Sequence, residues 1–185
     1  MKLHPGRSLL SGLALAVICA VAGTPAALGQ ETEGNMPGLA LSNDQPIQIE
    51  SDKLEIKEED GRAVFTGNVK VVQGDTTMQA GTMTVHYSSD TGTVTSGATD
   101  IEKIEVEDKV VLRTATQTAS ADTGTFNMVT QIAVLEGEKV VLTEGENILI
   151  GCKLTVHMEG GEAKMEGCPG RRLMMQLDPK SRSDQ

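Results

Sequence analysis

Between Pro46 and Pro169 the chain contains no proline. Proline cannot donate to a β-ladder and is excluded from interior strands, so so long a gap, rich in Val, Ile and Thr, admits continuous sheet. The pattern inside the gap agrees. Apolar residues alternate with polar ones at Ile47 and Ile49, Leu54 and Ile56, Ala63 and Phe65, Val69 and Val71, and Met83, Val85 and Tyr87. That period of two marks strands with one buried face. No segment keeps apolar residues at helical spacing across three turns. Pro46 itself opens the first strand, a permitted place for it.

Turn or bulge chemistry separates the runs at Asp60-Gly61, Gly67-Asn68 and Gly74-Asp75. The ladder then continues: a turn over 88–92, a short strand over 93–95, strands over 101–106 and 110–114 flanking a hairpin at Glu107-Asp108-Lys109, and a small, polar stretch over 116–121. Another turn follows at Asp122-Thr123-Gly124, then strands to Met165. In Val140-Val141-Leu142 and Ile148-Leu149-Ile150 the pattern leaves the inward parity open. One unit occurs twice. Phe65 to Tyr87 and Leu135 to Met158 share the order strand, glycine turn, strand, with Gly67 and His86 answered by Gly137 and His157. Repetition on this scale suggests a stacked or rolled all-β architecture.

The ends differ in character. Residues 1–29 read as a cleavable signal peptide, with Lys2 and Arg7 ahead of an apolar run from Leu9 to Val21 and small residues before Gln30. The rival reading is an uncleaved anchor, but the run is short against the ~20 residues a membrane span needs. Cys19 lies within this segment, and the bulky Ile18 before it argues against a lipid-modified cysteine. Residues 30–45 lack periodicity and are expected to form a flexible leader, 46–177 the β-domain, and 178–185 a flexible tail. Export leaves Cys152 and Cys168 as an even pair, which in an oxidising compartment is expected to be a disulfide.

The charge and composition exclude several function classes. The formal charge is −10, and without Lys2 and Arg7 there remain 14 basic residues against 26 acidic ones. With no Trp, one Tyr and two Phe, the chain lacks the basic patch and stacking rings of a nucleic-acid binder. No catalytic constellation is recognisable. His86 and His157 fall at outward strand positions, and His157 with the two cysteines is too few ligands for a metal site. The glutamates alternate with apolar residues or lie in turns, as a solvated face does. The interior would be lined by Val, Ile, Leu, Ala and Met, with Met78, Met83, Met128, Met158, Met165, Met174 and Met175 in the strand region or at its end. Such a lining either packs as an ordinary core or adapts to varied apolar partners.

Three phrases resemble the LptA/OstA-like family. They are Ile49-Glu-Ser-Asp-Lys-Leu-Glu-Ile, then Gly61-Arg-Ala-Val-Phe-Thr-Gly-Asn-Val-Lys-Val-Val-Gln-Gly, then Met78-Gln-Ala-Gly-Thr-Met-Thr-Val-His-Tyr. Ser51, Gly81 and Met83 stand where the family usually has Ala, Asp and Leu. The resemblance covers about Pro46 to Met165. It implies an open, V-shaped β-jellyroll of stacked antiparallel strands, with no cofactor and no enzymatic activity. It also implies a periplasmic protein that carries lipopolysaccharide, acyl chains in an apolar groove, toward the outer membrane. The implied partners are an inner-membrane export complex with its anchored jellyroll subunit, the periplasmic domain of an outer-membrane translocon, and further copies of the chain joined end to end. The period-two pattern nominates Ile47, Ile49, Leu54, Ile56, Phe65, Val69, Val71, Met83, Val85, Ile104, Val106 and Leu112 as groove residues. Alternatives are the membrane-anchored partner of the same system, a self-assembling structural β-solenoid without lipid, and a polysaccharide-active β-helix enzyme. The last lacks a carboxylate cluster on consecutive rungs.

Overall fold

The computed structural model describes residues 32–35, 41, 45–88 and 100–179. The expected signal peptide, the short strand at 93–95 and the last residues of the expected tail lie outside these. Eleven antiparallel strands form one sheet: β1 Thr32–Asn35, β2 Gln48–Glu50, β3 Lys53–Lys57, β4 Arg62–Gln73, β5 Thr76–Tyr87, β6 Ile101–Arg113, β7 Gln117–Asn127, β8 Ile132–Glu144, β9 Asn147–His157, β10 Glu162–Glu166 and β11 Met174–Gln176. A 3-10 turn, Glu58–Asp60, joins β3 to β4. The order is β1-β10-β9-β8-β7-β6-β5-β4-β2, with β3 also on β4 and β11 also on β9. Consecutive long strands are neighbours, so the sheet is a meander. Its path has two ends and does not close into a barrel.

The six long strands, β4 to β9, each run 11 to 13 residues, and each of the five ladders between them is interrupted near its middle. The register slips between Thr66 and Val69, Gln79 and Thr82, Glu107 and Val110, Ser120 and Thr123, and Glu136 and Val140. These positions are adjacent from strand to strand, so the bulges form one line across the sheet. A bulge bends its strand and increases the twist. A line of them creases the whole sheet into two half-sheets. At the margins the crease falls where β2 gives way to β3 along β4, and where β11 gives way to β10 along β9.

Burial then fixes the shape. Val71, Met78, Leu112, Ala119, Leu142 and Leu149 form one cross-strand row on the first half-sheet. Phe65, Met83, Val106, Gly124, Leu135, Leu154 and Met165 form a row on the second, with Ala63, Val85, Ile104, Phe126, Ala133, Val156 and Ala163 beside it. Nearly all are buried, in one apolar cluster, although no second layer of structure lies among the described residues. A single layer can bury one face only by folding onto itself, so the half-sheets pack apolar face to apolar face. Each fully buried aliphatic or aromatic side chain contributes about 1.5–3 kcal/mol to that packing. The opposite face is charged and solvated, with pairs such as Lys153–Glu136 at 2.9 Å and Arg62–Asp60 at 2.7 Å.

Several expectations need correction. Glu107-Asp108-Lys109 is not a hairpin but a bulge inside β6, where Asp108 and Lys109 take left-handed φ of 67° and 62°. Asp122-Thr123-Gly124 is not a turn but the crease of β7, which also absorbs the small, polar residues 117–121. The segment expected as a flexible leader is not wholly free: Thr32–Asn35 adds β1 to the edge of β10, and Leu41 is 3% exposed in the core. Its physical reason is the edge itself, since an outer strand offers unpaired backbone groups that a polar segment can satisfy. The last strand is only Met174–Gln176, and Asp178 beyond it donates its N–H to Asn147 Oδ1 at 3.0 Å. The open parities resolve with Val140, Leu142 and Leu149 inward.

Candidate functional site

The residues nominated from sequence fall on one surface. Val69, Val71, Met83, Val85, Ile104, Val106 and Leu112 are buried on the interior face, and Ile47, Ile49, Ile56 and Phe65 are partly buried against it. Leu54 differs. It is opposite Phe65 in the same row, yet it is 46% exposed. Its parity is inward, but β3 is an outer strand and has no neighbour to cover it. At the other end of the sheet Met175, which pairs with the inward Leu149, is exposed in the same way, and Met174 and Leu177 beside it are exposed as well. The interior therefore runs the length of the stack and shows apolar side chains at both ends.

Methionine occupies the interior as the composition suggested. Met78, Met83, Met128, Met158 and Met165 are all buried. Missed by pattern reading were the interior contributions of β7, where Ala119, Ala121 and Gly124 leave little side-chain bulk between the larger residues of β6 and β8. The run of small, polar residues there carried no apolar alternation. Also missed were the buried polar residues Gln73 and Gln117.

Glycine and aspartate hold the crease. Gly67, at φ 81°, lies beneath the Asp52 carboxylate, which accepts from Asn68 Nδ2 at 2.8 Å. Gly137 lies beneath Asp122, whose carboxylate accepts the N–H of Glu138 at 2.7 Å. A Cβ at either glycine would collide with the carboxylate. Near β9 the crease is stapled. Cys152 and Cys168 form the expected disulfide, and Arg171 Nη2 donates to the carbonyl of Glu138 at 3.0 Å. A hollow of about 390 Å³ on the outer side of the crease, lined by Glu50, Asn68, Lys70, Asp108 and Lys109 among others, is polar and of mixed charge. It is not an apolar site.

The two histidines of the repeat remain on the outer face. His86 Nε2 lies 2.6 Å from Glu105 Oε2, and Lys103 Nζ lies 2.9 Å from Glu105 Oε1. Lys103 first, and His86 next, hold the Glu105 carboxyl below the usual range. His157 is exposed at the end of β9. Among the described residues no group of three or more His, Cys, Asp or Glu side chains is placed to hold a metal ion, and no helix is long and apolar enough to cross a membrane.

A family model described as LptA/(LptD N-terminal domain) LPS transport protein matches residues 48–162. An uncharacterized protein of Rhizobium meliloti (strain 1021) is 55% identical over 172 residues, spanning 93% of this chain and 92% of the relative. A second relative, from Rhizobium etli, is described as an uncharacterized protein in an rpoN-linked probable transport protein 5′ region. It is 58% identical over 45 residues, which is 24% of this chain and 82% of that one. Among solved structures, LptH of Pseudomonas aeruginosa superposes with a TM-score of 0.61 at 18% identity, covering 74% of this chain and 98% of that chain. Its structure is described as that of the LptA-homologous periplasmic component of a lipopolysaccharide transport device. At that identity the likeness shows a shared fold.

Proposed function

The chain belongs to the LptA/(LptD N-terminal domain) family of LPS transport proteins, and from that premise we propose that it is a periplasmic carrier of lipopolysaccharide. Residues 1–29 direct export and are removed. The acyl chains lie against the interior face, on the residues around Val71, Met83, Ile104 and Leu112. The observation that carries this reading is the continuity of that face, which is apolar along the row from Ile49 to Met175 on one half-sheet and along the row from Leu54 to Met165 on the other. Each acyl methylene removed from water is worth about 0.8 kcal/mol, so a multi-chain lipid needs apolar surface of this length. The interior residues are buried against one another at rest. Chains enter when the half-sheets part, and a single layer hinged on a line of bulges can part without breaking its ladders.

The same reading assigns the ends. The outer edges of β2 and β3, and of β11 and β1, are where copies of the chain join one another, the inner-membrane export complex and the outer-membrane translocon by strand addition. The exposed Leu54, Met174, Met175 and Leu177 would be covered there.

The protein is acidic, as is the lipid's phosphorylated head, so affinity comes from the acyl chains. Binding of purified lipopolysaccharide is expected to change little between low salt and ~1 M salt, where the screening length falls to about 3 Å. A steep loss of affinity with salt would place the binding energy in charge contacts and contradict the acyl-chain site.

A further inference from the structure

One buried residue of the interior comes from outside the sheet. Leu41 is 3% exposed and belongs to the apolar cluster. Among the described residues, every other buried apolar side chain lies in a strand or directly after one, as Met128 and Met158 do. Leu41 falls between β1, which ends at Asn35, and β2, which begins at Gln48, and it is in no ladder.

The chain on either side of it is anchored at opposite ends of the stack. At one end Thr32–Asn35 pairs with β10. At the other the Gln45 carbonyl accepts from Gln73 Nε2 at 3.0 Å, where β4 ends. β1 and β4 stand seven places apart in the strand order, about 34 Å at ~4.8 Å per strand. Ten residue steps separate Asn35 from Gln45, and ten steps reach about 33–36 Å. The two anchors are therefore about as far apart as the chain between them allows. The same arithmetic locates Leu41. Six steps from Asn35 and four from Gln45 bring it over the middle of the stack, near β7, whose inward Ala119, Ala121 and Gly124 are small.

We propose that Leu41 is a built-in competitor of the lipid: it holds a place in the interior that an acyl chain takes on loading, and as it leaves, β1 comes off the edge of β10. The inference rests on the acyl-chain site proposed above. Leu41 can leave without breaking a hydrogen bond of the long ladders, because it is in none of them. An acyl chain that buries more than about four methylenes outweighs one leucine. With the anchors so far apart, a residue drawn out of the interior lengthens the path, and one anchor must yield. That anchor is β1, four residues on an outer edge, whereas Gln45 leads directly into β2 on β4. The apparent affinity for lipid is then the intrinsic one multiplied by the fraction of molecules from which Leu41 has withdrawn.

The test measures binding of purified lipopolysaccharide by the chain from Gln30 onward, with Leu41 native and as Leu41→Ser. The variant is expected to bind roughly tenfold more tightly, since serine gives up the apolar burial that holds the residue in place. Ordinary core packing predicts instead a variant that is less stable and binds no better than the wild type. Hydrogen exchange is the second readout. Saturating lipopolysaccharide is expected to bring the wild-type amides of Thr32–Asn35 to the exchange rate of an unpaired segment, while the β4–β9 ladders keep their protection. If the wild type binds and Leu41→Ser binds equally or more weakly, or if lipid leaves exchange at β1 unchanged, the competitor is overturned while the acyl-chain site stands. If the wild type binds no lipopolysaccharide, both readings fall. Should Leu41→Ser not fold, Leu41→Ala takes its place with the same expected direction, and exchange in the wild type decides the matter.

Discussion

The repeated unit is creased twice by different means. In β4–β5 the bulge is Gly67-Asn68, and both residues take left-handed φ, 81° and 46°. Its clamp is Asp52, from the link between β2 and β3, which accepts an exposed side-chain amide. In β8–β9 the corresponding bulge follows Gly137 and needs no left-handed residue among 137–139. Its clamp is Asp122 of β7, which accepts a backbone N–H, and the Cys152–Cys168 disulfide and Arg171 are added on the far side. The place of the crease is thus written into the unit, while the clamp is supplied by whatever strand or loop lies next to it. The histidines teach the same thing. His86 has Glu105 beside it on β6, whereas His157 faces Ile132 on β8 and Glu162 on β10.

The largest expected break in this comparison comes from the disulfide. Cys152→Ser, or full reduction, is expected to lower stability by about 3 kcal/mol, the chain-entropy value for a loop of this size. The loss should localise: hydrogen exchange is expected to accelerate along β8, β9 and β11 and hold steady along β4 and β5. Acceleration spread evenly over both units would mean that the creases are not independently clamped.

Next in size is removal of the carboxylate clamps. Asp122→Ala is expected to cost about 1.5 kcal/mol, because it strands the N–H of Glu138. Asp52→Ala is expected to cost roughly half as much, since Asn68 can turn to water. Chemical denaturation of the two variants checks the order, and an inverted order would sink the distinction between a backbone clamp and a side-chain one.

The smallest effect is that of pH. Glu105 is held ionised by Lys103 and His86, so its contribution is present above the unfolded pKa, about 4.3, and is lost as pH falls through the lower folded value. Glu146, next to the exposed β8–β9 turn, is shifted the other way. Its hydrogen bond with Asp178 pushes the carboxyl up, so its contribution is present in acid and lost as pH rises through the raised value. Glu105→Gln is expected to flatten the acid limb of a stability–pH curve, and Glu146→Gln to flatten the limb just above it. Both groups are largely solvated, so the changes are small.

Much of this fold was legible in the chain because a period of two states which residues share a face. All the nominated groove residues lie on that face, Leu54 included. Pattern could not tell that β3 is outermost and leaves Leu54 uncovered, because strand order is set by pairing across the sheet. Bulges and turns draw on the same residues, so Glu107-Asp108-Lys109 and Asp122-Thr123-Gly124 read as chain reversals although both continue a strand. Thr32–Asn35 carries no β-forming residue but threonine, and only the open edge of β10 makes it a strand. The burial of Gln73 and Gln117 had no sequence signal of its own, because it depends on a strand register that appears only in three dimensions.

The central claim is that lipopolysaccharide acyl chains run along the interior face. Its most direct test is photocrosslinking in cells that make lipopolysaccharide, with a light-activated residue placed in turn at the inward Val71 and Ile104 and at the outward Lys70 and Glu105. The account predicts lipopolysaccharide adducts at Val71 and Ile104 and none at Lys70 or Glu105. Absence of adducts at both inward positions, in protein that is folded and exported, would contradict it and leave a closed structural solenoid.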